Sequence, residues 1–256
     1  MTLQALLWDV DGTLAETERD GHRIAFNRAF EALGLPWRWD VQRYGELLAV
    51  TGGRERLLAD MATRADAPVG PKREALAREL HALKNRHYGE LVHSGALPLR
   101  EGVAELIAEA RAAGLKQAIT TTTSRANVQA LLSVHLGPDW RANFDAVVCG
   151  EDVQRKKPDP EVFQAALRAL GLAPLQALAL EDSPGGVAAA RAALVPVAVT
   201  RSVYFERATL EGAVAIGPGL HTRRGWRPAP PATEGRVTLA DLAEWHRQMD
   251  NVSQIP

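Results

Sequence analysis

Apolar positions along the 256-residue chain fall into two patterns. Five short runs are apolar almost throughout: LQALLWD (3–9), KQAITT (116–121), AVVCG (146–150), ALALED (177–182) and VPVAVT (195–200). A strand wetted on one side alternates, whereas a strand covered on both faces does not. The five runs therefore predict buried parallel strands. Segments with helical spacing lie between the later runs, at about 125–135, 160–170 and 184–193. Strand–helix alternation implies right-handed crossovers and an α/β fold with a doubly wound parallel sheet.

The interval 17–95 has a different pattern. It holds no strand-like run, and three helical stretches fit it, at about 18–33, 54–64 and 72–93. The last is rich in Ala, Leu, Lys, Arg and Glu, all good helix formers. An all-α block directly after the first strand reads as an insertion. The expected division is a discontinuous core, residues 1–15 and 96–256, with an inserted helical domain at 16–95. The return joint is SGALPLREG (94–102), where Gly and Pro break the helical pattern. Near the C-terminus, HTRRGWRPAPPATEGR (221–236) reads as an irregular solvated loop. A closing helix is expected at 238–249, with Thr238 as N-cap and Asp241 three residues on.

Composition narrows the class. Thirty basic and 31 acidic residues give a net charge of −1, so no basic surplus marks a nucleic-acid partner. The apolar stretches fall short of the ~20 residues that a membrane helix needs. The N-terminus MTLQALLWD has no positive region of the kind that opens a signal peptide. A single cysteine, Cys149, cannot form an internal disulfide, and no Cys/His metal spacing exists. The expectation is a cytoplasmic monomer without nucleic-acid or membrane partners.

In an open parallel sheet, ligands bind beyond the carboxyl ends of the strands. The first run ends in Asp9-Val10-Asp11. In extended geometry the two carboxylates point the same way, and like charges that close need a cation. The fourth run ends in Glu181-Asp182 and supplies a third carboxylate from another strand. An all-oxygen set of this kind suits Mg²⁺, which binds one or two carboxylates plus substrate phosphate. Gly12 lets the chain turn sharply after the first strand. The second run ends in Thr120 to Thr123, where Thr121 is able to donate to an anion ahead of a helix opening at Ser124. Taken alone, those threonines read better as β-branched strand residues with Ser124 as an N-cap. Lys156 and Lys157 precede Pro158, and Pro160 starts a helix, so a lysine there is aimed rather than floppy. A solvated basic loop is the alternative.

These strand ends, in this order, resemble the haloacid dehalogenase-like hydrolase superfamily. Its Asp-x-Asp-Gly-Thr motif matches Asp9 to Thr13, its strand-closing Ser/Thr matches Thr121, its Lys before Pro matches Lys157, and its acidic pair matches Glu181-Asp182. The match spans about residues 3–200, and the helical insertion looks like the family's cap on a Rossmann-like core. The segments TGGRERL and ITTTTSRANV look most like the CbbY-type phosphatases, which are similar to β-phosphoglucomutase and phosphoglycolate phosphatase. Proteins of that type are associated with carbon fixation, where they remove the Rubisco inhibitor xylulose-1,5-bisphosphate.

The resemblance implies a phosphatase acting through an aspartyl-phosphate, with Asp9 as nucleophile and Asp11 as general acid and base. It implies Mg²⁺ held by Asp9, the Asp11 backbone carbonyl and Asp182. Thr121, Thr122 and Lys157 would bind the phosphate, and Glu181 would orient Lys157 or the ion's water from behind. Other family outcomes are phosphoglycolate or another sugar phosphate as substrate, or a phosphomutase. Substrate choice belongs to the cap. Gly53 and Arg54 open a helix and form a candidate second anion site, which fits a sugar bisphosphate. Lys84 and Asn85 on the long helix, and Glu18 with His22 just past the hinge, complete the candidate sugar contacts. Glu18 and His22 are four apart and share a helix face.

Overall fold

The structure, a computed structural model, describes residues 2–252, with side chains for 2–248. Strand β1 (Ala5–Trp8) is buried along its whole length and lies between β2 (Lys116–Thr120) and β4 (Ala177–Glu181). Strand β3 (Ala146–Val148) flanks β2, and β5 (Val197–Thr200) and β6 (Ala215–Gly217) follow β4. All pairs are parallel, in the order β3-β2-β1-β4-β5-β6. This is the doubly wound sheet that the continuous apolar runs predict.

Successive residues of each strand serve opposite faces. Leu6, Trp8, Ile119, Leu178 and Leu180 pack with α5 (Val103–Ala112), α6 (Arg125–Leu136) and α9 (Leu239–Val252). Ala5, Leu7, Ala118, Ala179, Val197 and Val199 pack with α7 (Glu161–Leu170) and α8 (Pro184–Ala192) on the other face. Trp8 thus lies in a helix layer, pointing away from the strand end, and its Nε1 donates to Gln117 Oε1 at 3.0 Å.

Between β1 and α5 the described chain is helix and loop. A π-helical turn (Glu18–His22) leads into α1 (Arg23–Ala32), followed by α2 (Val41–Leu47), α3 (Gly53–Ala62) and the long α4 (Pro71–His93). These helices bury an apolar cluster of their own, built on Phe26, Phe30, Trp39, Tyr44, Leu57 and Leu80. Inside it lies buried Asp60, which accepts from Trp39 Nε1 at 3.0 Å and from Arg43 and Arg64 at 2.7 Å each.

Outside the apolar pattern read from sequence lie α2, α5, the three-residue β6 and two short 3-10 turns, Trp140–Asn143 and Pro174–Gln176. The segment 221–236 is also less solvated than its composition suggests. Trp226 is buried and stacks on Trp245 of α9, with ring centroids 4.5 Å apart. Arg227 makes a backbone bridge to Ile216 on the sheet's edge. Thr238 stands at the expected cap position directly before α9, its carbonyl accepting from the Leu242 N–H at 3.3 Å, and the Asp241 side chain bonds back to it. Asp241 Oδ2 accepts from the Thr238 backbone N–H at 2.8 Å and from its hydroxyl at 3.0 Å, so the aspartate anchors the threonine. Among the described residues, no helix is long and apolar enough to cross a membrane.

Candidate active site

The register sets the site. Trp8 is paired with Ile119 and with Leu180, so Asp9, one residue on, comes level with Thr120 and Glu181. Lys157 joins them from the loop between β3 and α7. That loop is folded onto the start of its own helix: Glu161 accepts from the backbone N–H groups of Gln154 (2.9 Å) and Arg155 (3.0 Å). Thus held, the buried Lys157 ammonium donates to Asp9 Oδ1 at 2.7 Å, Glu181 Oε1 at 2.5 Å and the Thr120 carbonyl at 2.8 Å. Burial works against this ammonium, but the charges of Asp9 and Glu181 outweigh it and hold its pKa above the ordinary lysine value.

Asp9, Glu181 and Asp182 are all buried, with one carboxylate oxygen of each within 4.8 Å of the others. Three carboxylates facing one lysine leave the cluster short of positive charge. Burial pushes the Asp9 carboxyl up to about 8, although Lys157 pulls it down. Asp182 is pushed well above the usual range by burial and by the charges of Asp9 and Glu181. A buried, oxygen-only donor set that lacks counter-charge fits a hard divalent cation such as Mg²⁺. Glu181 holds the Lys157 ammonium, as expected from sequence, and one of its carboxylate oxygens also lies within 4.8 Å of those of Asp9 and Asp182. Two glycines keep the cluster tight. Gly12 has φ +89°, and a Cβ there would collide with Asp182; a Cβ on Gly186 would collide with the Glu181 carboxylate.

The Asp11 carboxylate is turned away from that group. Its Oδ1 accepts from the Thr17 hydroxyl at 2.5 Å and from His22 Nε2 at 2.8 Å. Burial alone would raise its pKa; the His22 charge and hydrogen bond, with help from Thr17 and Lys84, hold it well below the usual carboxylate range. The His22 ring stacks on Tyr88, with centroids 4.3 Å apart.

A cavity opens above the strand ends, between sheet and helices. Asp9, Asp11, Asp182, Thr121, Thr122 and Lys157 line its floor. Ser124 caps α6, accepting from the Asn127 N–H, and so aims that helix at the same space. The roof carries Glu18, His22, Gly53 and Lys84, all expected there from sequence. Glu18 and His22 are already engaged within the protein. Glu18 Oε2 accepts from Tyr44 OH at 2.5 Å and pairs with Arg56 at 3.5 Å, and His22 holds Asp11. Lys84 is buried between the rings of Phe26 and Tyr88, at 5.3 and 5.4 Å from their centroids. Burial lowers its pKa to about 8, against the pull of Asp11 and Glu18.

Arg54 and Asn85 do not line the cavity. Arg54 points to solvent, and Arg56, two residues on, takes the inward place. Two steps along a helix turn a side chain by about 200°, so only one of these arginines is able to face in. Asn85 is likewise one step round from Lys84. Sequence reasoning also missed Tyr44, whose hydroxyl accepts from Arg56 Nη1 at 2.6 Å, and Phe205, which closes the cavity from the loop after β5. The phase of α3 was the missing signal for Arg56; the two aromatics carry no motif.

A family model described as haloacid dehalogenase-like hydrolase matches residues 3–193. The chain is 46% identical to Protein CbbY (plasmid) of Cupriavidus necator over 248 residues, 95% of this chain and 97% of that one. It is 30% identical to phosphoglycolate phosphatase of Escherichia coli over 205 residues, 76% of this chain and 79% of that one. Crystal structures of CbbY from Rhodobacter sphaeroides, one in complex with phosphate and one of a mutant in complex with xylulose-(1,5)bisphosphate, each match with a TM-score of 0.77. Their identities are 42% and 41%, and each match covers 82% of this chain and 92% of that chain. On these matches, and on the strand-end residues gathered around Asp9, the chain belongs to the haloacid dehalogenase-like hydrolase family.

Proposed function

We propose that this chain uses Mg²⁺ to hydrolyse a phosphate ester of a sugar bisphosphate, with xylulose-1,5-bisphosphate as the substrate its relatives support best. The class, a phosphatase, follows from the family and from the phosphatases among its relatives. The observation that carries the reading is Asp9. It is a buried carboxylate at the end of the central strand, held by Lys157 beside Glu181 and Asp182. It opens on a cavity roofed by the helical cap, residues 16–95.

An Asp9 oxygen attacks phosphorus in line with the leaving oxygen, which yields an aspartyl-phosphate and the free sugar hydroxyl. Water then cleaves the aspartyl-phosphate, restoring the carboxylate and releasing phosphate. Asp11 gives a proton to the leaving oxygen and takes one from that water. Thr17 and His22 keep Asp11 ionised at rest, the form the second step needs. The negative charge of an arriving phosphate raises its proton affinity for the first. Lys157 and Thr121 hold phosphoryl oxygens. Asp9, Asp182 and the Asp11 backbone carbonyl, with Glu181 beside them, would hold Mg²⁺, which when bound neutralises charge on those oxygens.

The roof is the cationic half. Arg56 and Lys84 face the cavity from the cap, and Lys156 faces it from the core. Burial, together with the charges of Lys84 and Lys156, pushes the pKa of neighbouring His81 down to about 4. A second anion on the substrate suits that wall. The test is phosphate release from purified protein with Mg²⁺, against xylulose-1,5-bisphosphate, phosphoglycolate and sugar monophosphates, with and without EDTA. Turnover on the bisphosphate should exceed the others at least about tenfold, a difference of ~1.4 kcal/mol in transition-state binding. A preference for phosphoglycolate, or activity that survives EDTA, would overturn the reading. Isomerisation of a sugar phosphate without phosphate release would mark a phosphomutase instead.

A further inference from the structure

The chain leaves the sheet for the cap through residues 11–17 and returns through 96–101, and the two stretches are fastened together. The Gly12 N–H donates to the Ala15 carbonyl at 2.8 Å. Ala15 forms an antiparallel bridge with Leu99, and the Arg100 N–H donates to the Leu14 carbonyl at 2.8 Å. The Arg100 side chain extends this joint. Its Nη1 donates to the Gly12 carbonyl, and to the Thr200 carbonyl and hydroxyl at 3.3 Å each. Its Nη2 donates to the carbonyls of Arg201 at 2.7 Å and Pro218 at 3.0 Å. Its Nε lies 3.8 Å from Glu16 Oε1.

One guanidinium therefore ties the Gly12 turn to the end of β5, to the segment after β6 and to the hinge acid Glu16. A planar fork of five N–H donors suits this task, whereas an ammonium gives three donors from one point. Its place in the fold gives the contact a consequence. Gly12 follows Asp11 directly and packs against Asp182 so closely that no Cβ fits between them. A shift of the Gly12 carbonyl moves the Asp11–Gly12 peptide, and with it the acid–base residue and one wall of the carboxylate cluster.

We propose that Arg100 is a positioning residue of this active site, holding the Asp11–Gly12 turn against Asp182 and anchoring both strands of the cap hinge to the core. The inference rests on the phosphatase reading above. Arg100 contacts neither the reacting atoms nor the cavity; it acts through the peptide of Gly12.

Arg100→Lys keeps the charge and loses the fork. Wild type and variant are compared by p-nitrophenyl phosphate hydrolysis with Mg²⁺, by calorimetric titration with Mg²⁺ alone, and by circular dichroism. Expected for a folded R100K are a kcat about 10–100-fold lower, the cost of a misplaced reacting group, and an unchanged KM. Its Mg²⁺ affinity should be about tenfold weaker, as for a lost outer partner of a metal site. Values of kcat and Mg²⁺ affinity within a factor of about two of wild type, or a loss confined to thermal stability, would overturn the proposal. Wild type that binds Mg²⁺ but hydrolyses no ester would strike the phosphatase reading, and the titration would still decide the role of Arg100. Should R100K fail to fold, Arg100→Ala is assayed with guanidinium at tens of millimolar. Restored kcat supports the proposal, and a folded R100A that gains nothing contradicts it.

Discussion

At Lys157, one buried ammonium faces Asp9 and Glu181 at 2.7 and 2.5 Å. Removing it strands two buried carboxylates. Lys157→Met should cost about 3–5 kcal/mol, the usual penalty for breaking a buried pair from one side. It should also abolish phosphatase activity. Urea unfolding in Mg²⁺-free buffer and a turnover assay check both, and a fully stable K157M would contradict the charge balance described. Lys84 gives a pH prediction. Its pKa is lowered to about 8, so its cation is present below that value and lost as pH rises through it. KM for a bisphosphate should therefore climb above pH 8, while KM for p-nitrophenyl phosphate, which has no second anion, should rise less. Parallel rises would remove Lys84 from the second-anion wall. Most residues of the floor were legible from sequence, because acids and a proline-pinned lysine closing apolar strands have few structural reasons to be there. Arg56 was not, because Arg54 and Arg56 differ only in helical phase, which the exact start of α3 decides.

Elements were legible where pattern and length agreed. Strands β1 to β5 are apolar almost throughout, and α4 is a long stretch of good helix formers, so local signal and tertiary role coincide. Strand β6 is only three residues long, and α2 carries Gly45 within seven residues, so neither has a pattern to read. The tail failed for a related reason. Its Arg/Pro-rich composition hides Trp226, which is held by Trp245 and by hydrogen bonds from its Nε1 to the Gly219 and Thr222 carbonyls. Trp245→Ala should cost about 3–5 kcal/mol of stability, as for other buried aromatics. It should leave kcat near wild type, since α9 lies outside the cavity. Denaturant unfolding and steady-state kinetics check the pair of outcomes; a large kcat loss in the folded variant would give the tail a part in catalysis.

At the scale of the whole molecule, the strand ends and the helices that follow β1 meet around the cavity. Lys156, next to Lys157, pairs with Glu55 of α3 at 2.8 Å, and Tyr204 from the loop after β5 packs on Tyr44 at 5.9 Å between centroids. The Lys156–Glu55 pair is partly exposed, so its worth is about 0–1 kcal/mol. Glu55→Gln should shift KM less than about fivefold and flatten its salt dependence, while Tm stays near wild type. A large loss of stability would mean that the pair holds the cap in place. Both the strand ends and the insertion that builds the roof are visible in the sequence. The closeness of Tyr204 to Tyr44 is not, because no local pattern records which loop of the core a distant helix will touch.

All of this turns on Asp9, and the most direct measurement is the turnover of folded Asp9→Asn on xylulose-1,5-bisphosphate with saturating Mg²⁺. An amide in place of the attacking carboxylate should lower kcat by at least about 10³-fold, as loss of a nucleophile does elsewhere, with circular dichroism unchanged. Turnover close to wild type in the folded variant would contradict the account.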